Sequence, residues 1–205
     1  MNPTVYILDD DSSVLISMKR LIESADFHVE TFSSAAEFLE HKPRRNPSCL
    51  VLDVHLPDIN GLNLQDELFK RNISMPIIFI TGYGDIPMSV KAIKKGAVDF
   101  LPKPFEDKEI LSAIEQAIFK SRQENKNKEE ITHIKSLLSS ITPRENEVMR
   151  WVITGLLNKQ IAQKMGITEK TVKVHRGRVM KKLQVDSAVE LARLLEKVGI
   201  TPLEK

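Results

Sequence analysis

The sequence predicts a parallel α/β domain over residues 1–120, followed by an all-α domain of four helices over residues 141–205. Three observations carry this prediction. In the first part, five short apolar runs alternate with five stretches of helical periodicity, the pattern of a sheet covered by helices on both faces. After residue 140 the strand-like runs stop, and two short helical patterns are joined by a turn containing glycine. Charge is also divided: residues 1–120 hold 13 Lys and Arg against 18 Asp and Glu, whereas residues 121–205 hold 17 against 10. An acidic half joined to a basic half implies different partners for the two, and the basic half suits nucleic acid.

Val5-Tyr6-Ile7-Leu8 is the first strand, ending abruptly in Asp9-Asp10-Asp11. Val14, Leu15, Met18, Leu21 and Ile22 then recur at helical spacing. Phe27 to Phe32 alternates as a second strand, and Ala35 to Leu39 restarts a helix. Pro43 to Pro47 is a loop, with Arg44-Arg45 read as solvated. Cys49-Leu50-Val51-Leu52 is apolar at every position, which suits a strand covered on both faces, and it ends on the lone carboxylate of Asp53. Leu62, Leu64, Leu68 and Phe69 mark the next helix, and Pro76 to Thr81 a fourth buried strand broken by Gly82-Tyr83-Gly84. Val90, Ile93 and Lys94 lie on a helix closed by Gly96, and Val98 to Leu101 is a fifth strand ending in Pro102-Lys103-Pro104. Ile110, Leu111, Ile114 and Ile118 stripe the last helix.

From Glu106 to Ser140 there is neither glycine nor proline. The linker, residues 121–140, is therefore expected to be helical, with Ile131, Ile134, Leu137 and Leu138 on one stripe. Thr142-Pro143-Arg144-Glu145 is a helix start in which Thr142 caps, Pro143 takes the first position and Glu145 completes a capping box. Val148, Trp151 and Val152 face inward before Gly155. A short helix runs from Asn158 to Gly166, and Thr168 caps a third over Glu169–Leu183. Asp186 or Ser187 caps a fourth carrying Leu191, Leu194, Leu195 and Val198.

The composition is that of an ordinary globular chain, with 41% hydrophobic and 28% charged residues. Cys49 is the only cysteine, so an intrachain disulfide and a thiolate metal cluster are excluded. The five histidines, His28, His41, His55, His133 and His175, include no pair at i, i+4, and no zinc site is expected. No apolar run approaches the roughly 18 residues of a membrane span, and Met1–Asp11 lacks a signal-peptide layout. A cytoplasmic protein without a membrane partner is the expectation.

The chemistry is concentrated at strand ends. Right-handed crossovers bring the carboxyl ends of such strands to one edge, here placing Asp9, Asp10, Asp53, Thr81 and Lys103 together. Converging carboxylates repel unless a cation holds them, and two or three of them with waters suit Mg²⁺. A carboxylate nucleophile, a divalent ion, a hydroxyl and an ammonium are the requirements for phosphoryl transfer to aspartate. Asp11 is read as a helix cap. His55 and Tyr83 lie two residues beyond Asp53 and Thr81, either screening an acyl phosphate from water or simply facing solvent.

Residues 1–120 resemble the receiver domain of bacterial response regulators, with Asp9-Asp10, Asp53, Thr81 and Lys103-Pro104 in the family's order and spacing. The resemblance implies a doubly wound, flavodoxin-like sheet of order 2-1-3-4-5 and a phosphoacceptor at Asp53. It implies that Asp10, Asp53 and the main-chain carbonyl of His55 ligate Mg²⁺, with Asp9 acting through water. It further implies a cis Lys103-Pro104 bond and a switch formed by Thr81 and Phe100.

In the third helix of the second part, Val172, Val179 and Leu183 face inward, while Lys170, Lys173, Val174, Gly177 and Lys181 lie opposite, flanked by Arg176, Arg178 and Lys182. Six basic residues against Glu169 alone suit the negative field of a DNA groove. Gly177 costs about 1 kcal/mol of helix stability against Ala but permits close approach to the duplex. Thr142-Pro-Arg-Glu145, Asn158-Lys-Gln-Ile-Ala162 and Thr171-Val-Lys-Val-His-Arg176 resemble the LuxR-type helix-turn-helix domain. That likeness implies DNA contacts from the outer face of this helix.

A receiver followed by this domain is the layout of the NarL/FixJ group of response regulators. Thr81–Met88 and Gly96–Asp107 resemble its FixJ branch in particular. The resemblance implies a transcription factor, not an enzyme, whose partners are a cognate sensor histidine kinase, double-stranded DNA, a second copy of the chain on phosphorylation, and RNA polymerase. The dimer surface is expected near Met88–Lys95 and Glu106–Phe119. The rival enzyme class, phosphatases of the haloacid-dehalogenase type, needs an aspartate two residues after the nucleophile, where this chain has His55. A constitutive DNA binder with a vestigial receiver is disfavoured by the complete acidic site.

Overall fold

The computed structural model describes residues 2–41, 46–82 and 86–203. The readings of Arg44, Arg45, Tyr83 and Gly84 fall outside these residues. The chain divides into two compact units, Met1–Asn125 and Lys126–Lys205.

The first unit holds five strands: β1 (Thr4–Leu8), β2 (His28–Phe32), β3 (Ser48–Asp53), β4 (Ile77–Thr81) and β5 (Asp99–Pro102). They pair in parallel in the order β2-β1-β3-β4-β5, as the family likeness implies. Helices α1 (Ser12–Ser24), α2 (Ala35–Glu40), α3 (Gly61–Lys70), α4 (Ile86–Lys94) and the start of α5 (Asp107–Leu138) connect and cover them. Each central strand feeds two cores because alternate side chains point to opposite faces. Tyr6, Leu8, Leu50, Leu52 and Phe79 pack with Leu64 and Leu68 of α3 and Ala92 of α4. Val5, Ile7, Cys49, Val51, Ile78 and Ile80 pack with Met18 and Ile22 of α1 and Ile110 and Ile114 of α5. Burial on both faces is why these strands read as unbroken apolar runs.

Helix starts follow local chemistry. Asp11 caps α1 by accepting from Ser13 N, in keeping with its reading as a cap. Asn60 caps α3 in the same way through Leu62 N, and Ser34 caps α2. Helix α5 runs without a break through the expected linker, whose composition contains no helix breaker.

In the second unit, the end of α5 is joined by α6 (Pro143–Val152), α7 (Asn158–Met165), α8 (Glu169–Leu183) and α9 (Ala188–Glu196). The Thr142–Glu145 capping box forms in both directions. Gly166, at φ 64°, ends α7 in the left-handed region and sets the turn into α8, a conformation that costs a side chain with a Cβ. Val148, Val152, Ile161, Val172, Val179, Leu183, Leu191 and Leu195 form one core, against which Leu137 and Leu138 of α5 pack. Ile134 is also buried, so the apolar stripe of the linker is used. Among the described residues, no helix is long and apolar enough to cross a membrane.

Candidate functional site

The parallel register builds the first site. Leu8 pairs with Leu52, which sets Asp9 beside Asp53 one residue beyond each strand partner. Asp9 continues the face of Val5 and Ile7, and Asp53 that of Cys49 and Val51, so both carboxylates lie on the α1/α5 side. Thr81 pairs with Pro102, which brings Lys103 to the same edge, and Lys103 N donates to Thr81 O at 2.7 Å. The Lys103-Pro104 bond is cis, as the family likeness implies.

The Nζ of Lys103 bridges the two acids, 2.6 Å from Asp9 Oδ2 and 3.1 Å from Asp53 Oδ2. Their other oxygens accept backbone N–H groups: Asp11 N to Asp9 Oδ1 at 2.9 Å and His55 N to Asp53 Oδ1 at 3.2 Å. Asp9, Asp53 and Thr81 are buried, whereas Asp10 is exposed. Carboxylate oxygens of Asp9, Asp10 and Asp53 lie within 4.8 Å of one another. Burial raises the Asp9 carboxyl above its ordinary range, against the Lys103 hydrogen bond that lowers it. Burial also pulls the Lys103 ammonium down, but its hydrogen bonds to Asp9 and Asp53 outweigh this and leave it raised. Two acids bridged by one ammonium, with the Asp10 carboxylate beside them, form an all-oxygen donor set that fits a small hard divalent cation.

Gly61 is part of the same construction. Its N donates to Val54 O at 2.9 Å, and a Cβ there would lie 2.6 Å from Asp53 O. Only glycine lets α3 start this close to the end of β3. Asp58 Oδ2 accepts from Ala36 N at 3.1 Å, tying the β3–α3 loop to the start of α2. Thr81 Oγ1 lies 3.3 Å from His55 Nδ1. Phe100 is half-buried, its ring centroid 6.2 Å from that of Phe79 on the neighbouring strand.

The second candidate surface is the outer face of α8. Lys170, Lys173, Val174, Gly177, Arg178 and Lys181 are all exposed there. Two of the six basic residues counted from sequence point elsewhere. Lys182 donates to Glu145 Oε2 at 2.6 Å and Ser140 O at 2.8 Å, and Arg176 donates to Asn158 Oδ1 at 3.1 Å. They brace the fold, leaving four cations on the open face.

Sequence spacing also missed a cluster on the other edge of the sheet. His28 and His41 converge on Glu30, with contacts of 3.4 and 3.3 Å. No i, i+4 pattern signals this, because β2 brings His28 and Glu30 together and α2 delivers His41 from its C-terminus. The three do not come close enough to share an ion, and among the described residues only the Asp9, Asp10 and Asp53 group does so.

Comparison with known proteins finds a family match in each half of the chain. Residues 5–115 match the response regulator receiver domain, and residues 139–195 match the luxR family of bacterial regulatory proteins. The chain is 47% identical over 197 residues to nodulation protein W of Bradyrhizobium diazoefficiens, covering 96% of this chain and 87% of that one. It is 39% identical over 196 residues to the transcriptional regulatory protein FixJ of the same organism, covering 96% of both. Among solved structures, response regulator StyR aligns with a TM-score of 0.84 at 47% identity, covering 96% of this chain and 100% of that chain. The chain therefore belongs to the two-component response regulators of the NarL/FixJ group, transcriptional regulators in which a receiver domain precedes a LuxR-type DNA-binding domain.

Proposed function

We propose that Asp53 accepts a phosphoryl group from a partner histidine kinase, and that this modification drives dimerisation and sequence-specific binding to double-stranded DNA. The observation that carries this reading is the Lys103 bridge between Asp9 and Asp53 beside a third carboxylate. Asp10, Asp53 and the main-chain carbonyl of His55 are the residues to hold Mg²⁺, with Asp9 acting through water. When bound, the ion offsets negative charge on the phosphoryl oxygens.

In the transfer, a carboxylate oxygen of Asp53 donates a lone pair to phosphorus. The bond from phosphorus to the kinase imidazole breaks, and its electron pair returns to that ring. Lys103 neutralises charge on the incoming group, and the Thr81 hydroxyl donates to one of its oxygens. Thr81, Phe79 and Phe100 share one sheet face, so drawing Thr81 toward Asp53 opens space for Phe100. The surface of α4 and α5 then forms the dimer contact. Ile86, Val90, Ile93 and Phe119, exposed at 80%, 45%, 46% and 63%, provide the apolar surface for it. A dimer presents two α8 helices to half-sites about one DNA turn apart and, once on a promoter, meets RNA polymerase.

The test is uptake of phosphoryl from a small phosphodonor with Mg²⁺, followed by sedimentation and DNA titration at fixed salt. Asp53→Asn should take up no label, and Asp10→Ala should lose most of the metal-dependent uptake. Thr81→Ala should keep the uptake but lose most of the gain in dimerisation and DNA affinity. Labelling of Asp53→Asn at the wild-type level would overturn the assignment.

A further inference from the structure

We propose that His55 is a positioning residue whose imidazole holds Thr81 in its resting place, so that a phosphoryl group on Asp53 must draw Thr81 away from it. The inference rests on the phosphoacceptor reading above and adds a residue to the switch. Thr81 is buried at the end of β4, and its Oγ1 lies 3.3 Å from Nδ1 of His55. The His55 ring is exposed, but its backbone is not free to drift. Its N donates to Asp53 Oδ1 at 3.2 Å, and His55 forms an isolated antiparallel bridge with Asn60. Gly61 N closes the same loop onto Val54 O at 2.9 Å. The ring is thus carried by a braced loop, and one residue touches the acceptor carboxylate through its backbone and the switch hydroxyl through its side chain.

The direction of the hydrogen bond depends on the His55 tautomer, but either direction ties Thr81 to the β3–α3 loop. Thr81 shares its sheet face with Phe79, which packs against Phe100, so fixing Thr81 also fixes the space next to Phe100. A net hydrogen bond is worth about a two- to tenfold bias in a two-state equilibrium. His55 thereby lowers the population of the active arrangement before phosphorylation.

The experiment uses the full chain without phosphodonor, labelled at threonine methyl groups. Thr81 rotamer populations are read from methyl scalar couplings, and dimerisation is measured by sedimentation on the same samples. His55→Ala removes the ring, and His55→Phe keeps its bulk without the polar atom. His55→Asn places a hydrogen-bonding atom where Nδ1 stands and, by turning its amide, serves as donor or acceptor. Wild type and His55→Asn should show one Thr81 rotamer. His55→Ala and His55→Phe should show a mixture and dimerise about two- to tenfold more tightly. A single unchanged rotamer in the Ala and Phe variants, or an Asn variant that behaves like Ala, overturns the proposal. The rotamer measurement needs no phosphodonor. A wild type that takes up no phosphoryl group would therefore overturn the phosphoacceptor reading while leaving His55 to be judged separately.

Discussion

Lys103 Nζ stands nearer to Asp9 than to Asp53, 2.6 against 3.1 Å, although Asp53 is the expected acceptor. Asp9 is fully buried and offers Lys103 its only solvent-free partner among the three acids, whereas Asp10 is exposed. The resting ammonium is thus held chiefly by Asp9 and not by the proposed acceptor. Lys103→Met leaves a buried carboxylate without its cation. It should lower the stability of the metal-free first unit by about 2–4 kcal/mol. Mg²⁺ should then stabilise the variant more than the wild type, by mass action on a site with greater excess negative charge. Urea unfolding with and without Mg²⁺ checks this; equal Mg²⁺ effects on both proteins would count against Lys103 as the resting counter-ion.

Gly61 makes a sharper prediction because its neighbours are backbone atoms. A Cβ there would meet Asp53 O at 2.6 Å and Val54 Cα at 3.1 Å, and neither atom yields as a flexible side chain does. Gly61→Ala should destabilise the unit by about 1–3 kcal/mol. It should also slow phosphoryl uptake, since the displaced strand end carries the proposed acceptor. Normal stability with normal uptake would show that the loop relaxes freely.

Acid should loosen the second unit through Glu145. The hydrogen bond from Lys182 and that from Thr142 N hold its carboxyl down to about 2, from the ordinary 4.5. A carboxyl lowered in the folded state stabilises fully above the unfolded value. That contribution is lost as pH falls from about 4.5 toward 2. Because Lys182 is partly exposed, the contribution at neutral pH is discounted to about 1–2 kcal/mol. Glu145→Gln should lose that stability and flatten the acid limb. Fluorescence of Trp151, the one tryptophan, follows the unfolding of this unit selectively.

Lys173 and Lys182 occupy the same helix yet should fail differently. Lys173 is exposed on the outer face of α8, so Lys173→Ala should weaken DNA binding and reduce the salt dependence by about one unit of slope. Lys182 is bound to Glu145 and Ser140 O, so Lys182→Ala should lower stability by about 1–2 kcal/mol and leave the salt slope unchanged. Parallel salt titrations and denaturation curves separate the two.

Much of this was legible in the sequence because it depends on local rules. Asp11, Thr142 and Ser187 cap helices with side chains that reach an amide two or three residues on. Gly96 and Gly166 close helices at positive φ, where a Cβ is costly. The partners of Lys182 and Arg176, which the sequence places beside the outer face of α8, were not legible for the converse reason: they lie 37 and 18 residues away, where helical periodicity cannot see them. The convergence of His28 and His41 on Glu30 was hidden for the same reason.

By itself, then, the sequence determined the five alternating strands and helices, the helical second part and the residue types at each strand end. Apolar periodicity and capping act within a few residues, and they are written into consecutive positions. The tertiary structure alone decided how those ends meet. It set Asp9 beside Asp53 through the register of β1 on β3, shared Lys103 between them, and placed the His55 ring against Thr81. Register, distance and burial arise from packing between elements remote in the chain, so no local pattern fixes them.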